Sequence, residues 1–242
     1  MRNDDVVQPG EPGSGWRRSP LFSHLSPEQA EALRQRMRLE VFEPRRRLFA
    51  QGEAGDRVYV VDKGAVKISL ERDGQSALAQ VVLGPGDVVG LYPSLGPGPR
   101  DSTAVAASEV VTASILCAEL EQCHQERAAI NFGLAQQLCQ RLFEFDVQRV
   151  DLLMLDTAGR LAKLLVQLAR RFGAAENGTI RVQLALSQKE LGELIGVSRD
   201  TAGARLREFA ERGWIAKAPG VLHILAPEEL ARRAGPSKSI VD

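Results

Sequence analysis

Residues 187–209, SQKELGELIGVSRDTAGARLREF, decide how this chain is read. Ser187 followed by Glu190 is a capping box that opens a short helix, Gly196 closes it, and Ser198 can cap a second helix two residues later. Helices joined that tightly cross steeply. The packing positions suit such a crossing: Leu191, Ile195 and Val197 around the turn, the small Gly192 where the helices touch, then Ala202, Leu206 and Phe209 on the second helix. The spacing predicts a helix-turn-helix. In such a motif the start of the second helix enters the major groove, where arginine can grip guanine O6 and N7 and a carboxylate can accept from cytosine N4. Arg199 and Asp200 are therefore the candidate base readers, with Arg205 further along, and Ser187, Lys189, Ser198, Thr201 and Arg207 are expected to meet phosphates.

The elements on either side support this reading. Trp214 to Lys217 and Val221 to Ile224 flank Ala218-Pro219-Gly220, a turn that predicts a β-hairpin wing. Upstream, Leu161, Leu164, Leu165 and Leu168 share one face of a helix expected from Ala158 to Phe172 and stopped by Gly173. Ala174 to Thr179 reads as a loop, and Val182 to Leu186 as a short strand or an extended entry to the next helix. No proline occurs between Ala118 and Pro219, which leaves room for a long helix from about Ile130 to Leu155. Leu138, Phe145 and Leu152 recur every seven residues, with Leu142 offset between them, as in a coiled-coil seam. A homodimer is expected along that stripe.

The N-terminal half has a different period. Val58-Tyr59-Val60-Val61, Ala65 to Ile68, Ala79 to Val82, Val105 and Val110-Val111 are short β-branched runs, punctuated by Gly52, Gly55, Gly64, Gly74, Gly84, Gly86 and Gly90. Such strands predict a closed antiparallel barrel or jelly roll. Ser26-Pro27-Glu28-Gln29 announces a short helix before them, and the glycine- and proline-rich stretch from Met1 to Ser19 reads as a tail with no apolar run for a signal or a membrane anchor.

Charge and cysteine usage narrow the function. The formal net charge is +0, so nucleic-acid binding must be local; from Gly159 to Lys217 eleven Lys or Arg face six Asp or Glu, a surplus of +5. Three cysteines without paired spacing argue against a secreted disulfide framework and for a reducing cytoplasm. No nucleophile-base pair, metal-ligand cluster or phosphate loop supports an enzyme, and no cofactor or metal is expected. Cys117, Cys123 and His124 fit buried thiols and a solvated imidazole better than haem ligands, and the tail lacks the cysteine run of an iron-sulfur sensor.

The chain resembles the cyclic-AMP receptor and FNR family of bacterial transcription regulators from Leu21 to Gly235. The motifs that carry the resemblance are Gly52-Glu53-Ala54-Gly55-Asp56, Gly64 to Ile68, Gly86-Asp87-Val88-Val89-Gly90, Asp156-Thr157-Ala158-Gly159-Arg160 and Ser198 to Thr201. It implies an α+β chain: a disordered tail over 1–19, a cyclic-nucleotide-binding-like jelly-roll sensor over 20–128, a central dimerisation helix over 129–156 and a winged helix-turn-helix over 157–242. Such a dimer binds a palindromic operator in double-stranded DNA and contacts or blocks RNA polymerase.

Two departures qualify the resemblance. The position similar to the family's second base-reading arginine is Ala204. The effector pocket, which the resemblance places at Gly90, Leu91, Arg100, Asp101, Ser102, Phe145 and Asp146, has Leu91 where the family has a ribose-binding glutamate and Phe145-Asp146 where it has an adenine-reading Thr-Ser pair. Asp101 beside Arg100 is expected to weaken the field an anionic phosphate needs, and Pro93 disfavours the short helix that would face that phosphate. A regulator that works without cyclic AMP is therefore expected. The alternatives are a cyclic-nucleotide- or cyclic di-GMP-responsive regulator, or an interaction protein whose helix-turn-helix docks protein.

Overall fold

The computed structural model describes residues 15–71, 78–91, 98–124, 126–176 and 178–235; Pro93 and most of the N-terminal tail lie outside them. The chain divides into two compact units, Gly10–Glu144 and a second dominated by Phe145–Asp242.

In the first unit, helix α1 (Pro27–Arg36) starts as expected: Ser26 accepts from the Gln29 N–H, and the Gln29 side chain returns to the Ser26 N–H. Eight strands follow: β1 (Arg38–Phe42), β2 (Arg47–Phe49), β3 (Arg57–Lys63), β4 (Val66–Leu70), β5 (Leu78–Leu83), β6 (Val88–Val89), β7 (Thr103–Ala106) and β8 (Val110–Leu116). They form two antiparallel sheets, β1-β8-β3-β6 and β2-β7-β4-β5, whose facing sides make the jelly-roll core. Strand β3 shows why its sequence reads as a nearly unbroken apolar run. Tyr59 and Val61 join Phe49, Val66 and Ala104 inside the roll, while Val58 and Val60 pack outward against α1 and the helices after the barrel, so both faces are dry.

Those helices are α2 (Cys117–Glu121) and the long α3 (Arg127–Met154). Part of the outer core comes from an unexpected place. The tail expected through Ser19 is corrected over its last residues: Gly15–Arg18 forms a 3-10 turn and Trp16 is 5% exposed. Its N–H donates to the buried Asp62 carboxylate at 3.1 Å, and its ring meets Phe22 edge-on at 4.9 Å. Burying an indole against the barrel outweighs the local glycine content.

Helix α3 is continuous, but its last ten residues belong to the second unit. There α4 (Thr157–Phe172) buries Leu161, Leu165 and Leu168, and ends at Gly173. That glycine has φ −79°, so a left-handed cap is not its purpose; a Cβ there would stand 2.3 Å from both the Ala169 carbonyl oxygen and the Ile180 side chain. The loop expected after it and the strand reading of Val182 to Leu186 are also corrected. Strands β9 (Gly173–Glu176) and β10 (Thr179–Val182) pair as a hairpin, and the chain from Gln183 to Ser187 has no regular structure. Strands β11 (Ile215–Ala218) and β12 (Val221–Ile224) form the wing hairpin, and β12 pairs with β10 to give the sheet β11-β12-β10-β9. Between the hairpins lie α5 (Gln188–Leu194) and α6 (Arg199–Glu211), and α7 (Pro227–Arg233) packs on α4.

Candidate nucleic-acid interface and effector pocket

The helix-turn-helix forms as its local chemistry requires. Ser187 accepts from the Glu190 N–H at 3.2 Å while the Glu190 carboxylate accepts from the Ser187 N–H at 2.7 Å. Gly196, at φ +70°, makes the left-handed turn, and Ser198 caps α6 by accepting from the Thr201 N–H at 3.2 Å. Ala202, Leu206 and Phe209 are fully buried, and burying each large apolar side chain contributes roughly 1.5–3 kcal/mol toward holding α6 in place. Gly192 sits at the crossing, where a Cβ would meet the Val197 carbonyl oxygen at 2.8 Å and that of Ser198 at 3.0 Å.

This frame presents Arg199 and Asp200 exposed in the first turn of α6. The other predicted residues hold varied positions. Ser187 and Ser198 are exposed at the helix starts, although both hydroxyls already serve as caps, and Thr201 is half-buried with its hydroxyl 2.8 Å from that of Ser198. Lys189 pairs with Glu193 at 3.5 Å. Arg205 is exposed but engaged with Glu208 at 2.7 Å, and Glu208 also holds Arg212. Arg207 is exposed, and it points to a cation the sequence reading missed: Lys217 on β11 is held below the ordinary ammonium range first by desolvation and then by the nearby Arg207. Two cations on adjacent elements of one surface suit a phosphate backbone. Trp214 packs on Phe209 with centroids 5.2 Å apart and fixes the base of the wing.

On α3, Leu138, Leu142, Phe145 and Leu152 are 40%, 64%, 48% and 49% exposed. Four large apolar side chains open to solvent in one stripe of a single protomer make a continuous face.

The barrel part of the expected effector pocket is more polar than the sequence suggested. Gly90 has φ +75°, and a Cβ there would lie 2.4 Å from Nη1 of Arg100. Arg100 is 3% exposed, stacks on the Phe49 ring at 4.2 Å and stands 5.8 Å from that of Tyr59. Among the described residues its Nη1 makes a long 3.4 Å bond to the Gly90 carbonyl, and its Nε has no hydrogen-bond partner. The expected weakening by Asp101 needs correction, because Asp101 is exposed, accepts from the Ser102 hydroxyl at 2.9 Å and forms no ion pair with Arg100 among the described residues. A carboxylate in water is screened from a buried guanidinium. Leu91 is 6% exposed and offers no acceptor, while Phe145 and Asp146 are exposed on the part of α3 assigned to the other unit. Phe49 and Tyr59 were not anticipated as Arg100's neighbours, since only the folded sheets bring them together.

Cys123 is buried with the Arg36 guanidinium 3.0 Å from its sulfur, and desolvation pushes both its thiol and that of Cys117 up. Among the described residues no group of three or more His, Cys, Asp or Glu could hold a metal, and no helix is long and apolar enough to cross a membrane.

Residues 39–127 match the family model of the cyclic nucleotide-binding domain and residues 159–233 that of the Crp-like helix-turn-helix domain. A CRP-like cAMP-activated global transcriptional regulator of Mycobacterium tuberculosis is 37% identical over 218 residues, which cover 90% of this chain and 97% of that protein. A cyclic AMP receptor protein of Thermus thermophilus is 28% identical over 85% of this chain and 92% of its own length. Among solved structures, the c-di-GMP responsive global regulator CLP of Xanthomonas campestris aligns with a TM-score of 0.68 at 22% identity, covering 80% of this chain and 96% of that one, a likeness of fold.

Proposed function

Because this chain belongs to the CRP/FNR family of transcription regulators, we propose that it binds a palindromic operator as a homodimer and does so without cyclic AMP. The observation that carries the DNA reading is the exposed Arg199-Asp200 pair, fixed at the start of α6 by the Ser198 cap and by three fully buried residues beneath it. A bidentate arginine needs such fixed placement to choose guanine. The seam of Leu138, Leu142, Phe145 and Leu152 supports the dimer, and two-fold symmetry of the protein calls for two half-sites about one helical turn apart, roughly 34 Å. Regulation then runs through RNA polymerase, in the cytoplasm where the DNA is.

Independence from cyclic AMP rests on Leu91, buried where a ribose hydroxyl would need an acceptor, and on the bulky Phe145 beside a carboxylate, Asp146. An effector shifts a two-state equilibrium only by its preference for one state, and each missing charge-assisted bond forfeits roughly 1.5–3 kcal/mol. A second reading draws on Arg100: a buried guanidinium with no carboxylate partner among the described residues is costly unless an anion meets it. On that reading an anionic effector, cyclic AMP or cyclic di-GMP, loads the barrel. The test is an anisotropy titration of a duplex selected from random sequence, at fixed salt, with and without millimolar nucleotide. Unchanged affinity with cyclic AMP supports the first reading; a tenfold tightening by either nucleotide puts the second in its place.

A further inference from the structure

We infer that Arg160 is a positioning residue for operator recognition, tying the helix-turn-helix to the seam-bearing end of α3 so that the spacing between the two half-sites is fixed. The inference rests on the dimeric, palindromic reading above and adds the device that sets its geometry.

Arg160 lies in the first turn of α4, half-buried. Its Nη1 donates to the carbonyl of Leu155 at 2.8 Å, just past the end of α3, and its Nε donates to the carbonyl of Ile195 at 3.0 Å, where α5 ends in the helix-turn-helix. Both acceptors stand at helix C-termini, where carbonyls lack intrahelical partners and the helix dipole favours a cation. One guanidinium thus closes two helix ends at one point. Its planar fork fixes the direction of both bonds, which a single ammonium cannot do.

Neighbouring contacts give the joint little slack. Only Leu155 and Asp156 separate α3 from α4. Lys163 pairs with Asp151 on the last turn of α3 at 2.6 Å, and both side chains are about four-fifths buried, at 22% and 18% exposure. Leu152, a seam residue, reaches the turn itself, its Cδ2 standing 3.1 Å from where a Cβ on Gly196 would be. Asp156 caps α4 and also binds Arg233 of α7. The seam therefore meets the helix-turn-helix at Gly196, and Arg160 holds the adjoining carbonyls together. In a dimer, whatever fixes α5 against the seam also fixes how far apart and at what angle the two α6 helices are displayed.

The test is spacer discrimination by the full-length protein. One base pair added or removed between half-sites shifts them by about 3.4 Å and rotates them by about 34–36°. The wild type is expected to bind duplexes with a spacer one pair longer or shorter about tenfold or more weakly than the optimum, as a rigid reader of two half-sites should. Arg160→Met is expected to reduce that discrimination to about threefold or less, with loss at the optimal spacer. A purely structural defect lowers the active fraction equally for every duplex and leaves the ratio unchanged. Arg160→Met with wild-type discrimination overturns the inference. Should that variant fail to fold, Arg160→Lys takes its place: it keeps the charge without the fork, so a wild-type spacer ratio in Arg160→Lys overturns the inference equally. A wild type indifferent to spacing, by contrast, overturns the palindromic reading itself.

Discussion

Replacing Gly192 by alanine sets two well-characterised effects against each other. Gly192 lies inside α5, and glycine in a helix interior costs about 0.5–1 kcal/mol relative to alanine, so propensity alone says the variant should be more stable. The structure says otherwise. The new Cβ would meet the Val197 carbonyl oxygen at 2.8 Å, the Ser198 carbonyl oxygen at 3.0 Å and the Ser198 carbonyl carbon at 3.2 Å, all backbone atoms of the turn and the α6 cap. Overpacking of that kind costs about 1–3 kcal/mol, which after the helix gain leaves a net destabilisation of about 0–2.5 kcal/mol, centred on about 1 kcal/mol. Relief requires the α5-α6 crossing to open, which would move Arg199 away from the guanine proposed for it, so operator affinity should fall even where the protein is fully folded. Gly203→Ala is the control: its Cβ meets Oε1 of Gln188 at 2.8 Å, the far end of a flexible side chain that can swing away, so the helix gain should prevail. Urea titration followed by far-ultraviolet circular dichroism gives both midpoints. A midpoint for Gly192→Ala equal to or above the wild type would refute the steric account of the crossing.

Three further outcomes are expected. Arg199→Ala should abolish base preference while leaving weak, salt-sensitive binding, because a bidentate guanine contact is worth about 1–3 kcal/mol per half-site; an operator titration with unchanged preference contradicts it. Phe145→Asp, facing its copy across the seam, should cost several kcal/mol in order of magnitude and leave the protein monomeric at micromolar concentration, read by sedimentation. The Asp156 carboxyl is held below its usual range first by the Arg233 side-chain bond and then by the Gly159 N–H. A depressed folded value means that its contribution is present above the ordinary aspartate range, about pH 4, and lost as pH falls through the folded value. Asp156→Asn should therefore lower the thermal midpoint at neutral pH, and the difference from the wild type should close in acid; a gap that persists undiminished as pH falls through the folded value counts against the ion pair.

The legible parts of the sequence were those whose cause is local. The capping serines, Gly196 and the burial of Leu206 and Phe209 follow from residues within a few positions of one another, and the structure repeats them. Strand β9 was not legible, because Gly173-Ala174-Ala175-Glu176 has little strand preference and becomes a strand by pairing with β10, which in turn rests on β12. The 3-10 turn at Gly15–Arg18 was not legible because the Trp16 backbone N–H is held by Asp62, 46 residues away. Arg160 was visible as part of a family motif, but its role was not, since its partners are backbone carbonyls five and 35 residues distant and a carbonyl carries no sequence signature. At Arg100 the neighbouring Asp101 in the sequence misled: the chain bends at Asp101 and Ser102, leaving Arg100 buried and Asp101 exposed to water.

The burial of Trp16 has an optical consequence. The chain has two tryptophans, and they fall one in each compact unit: Trp16 against the outer wall of the roll, near the guanidiniums of Arg17 and Arg34, and Trp214 beside Phe209 and Arg212 at the base of the wing. Each unit thus carries its own fluorophore. Replacing one indole by phenylalanine leaves emission that reports the other unit alone, in the full-length chain and without an added dye. Because α3 runs unbroken through both units, coincident loss of the two emissions in denaturant would mark that helix as a cooperative link, and separate losses would show one unit melting while the other stays folded.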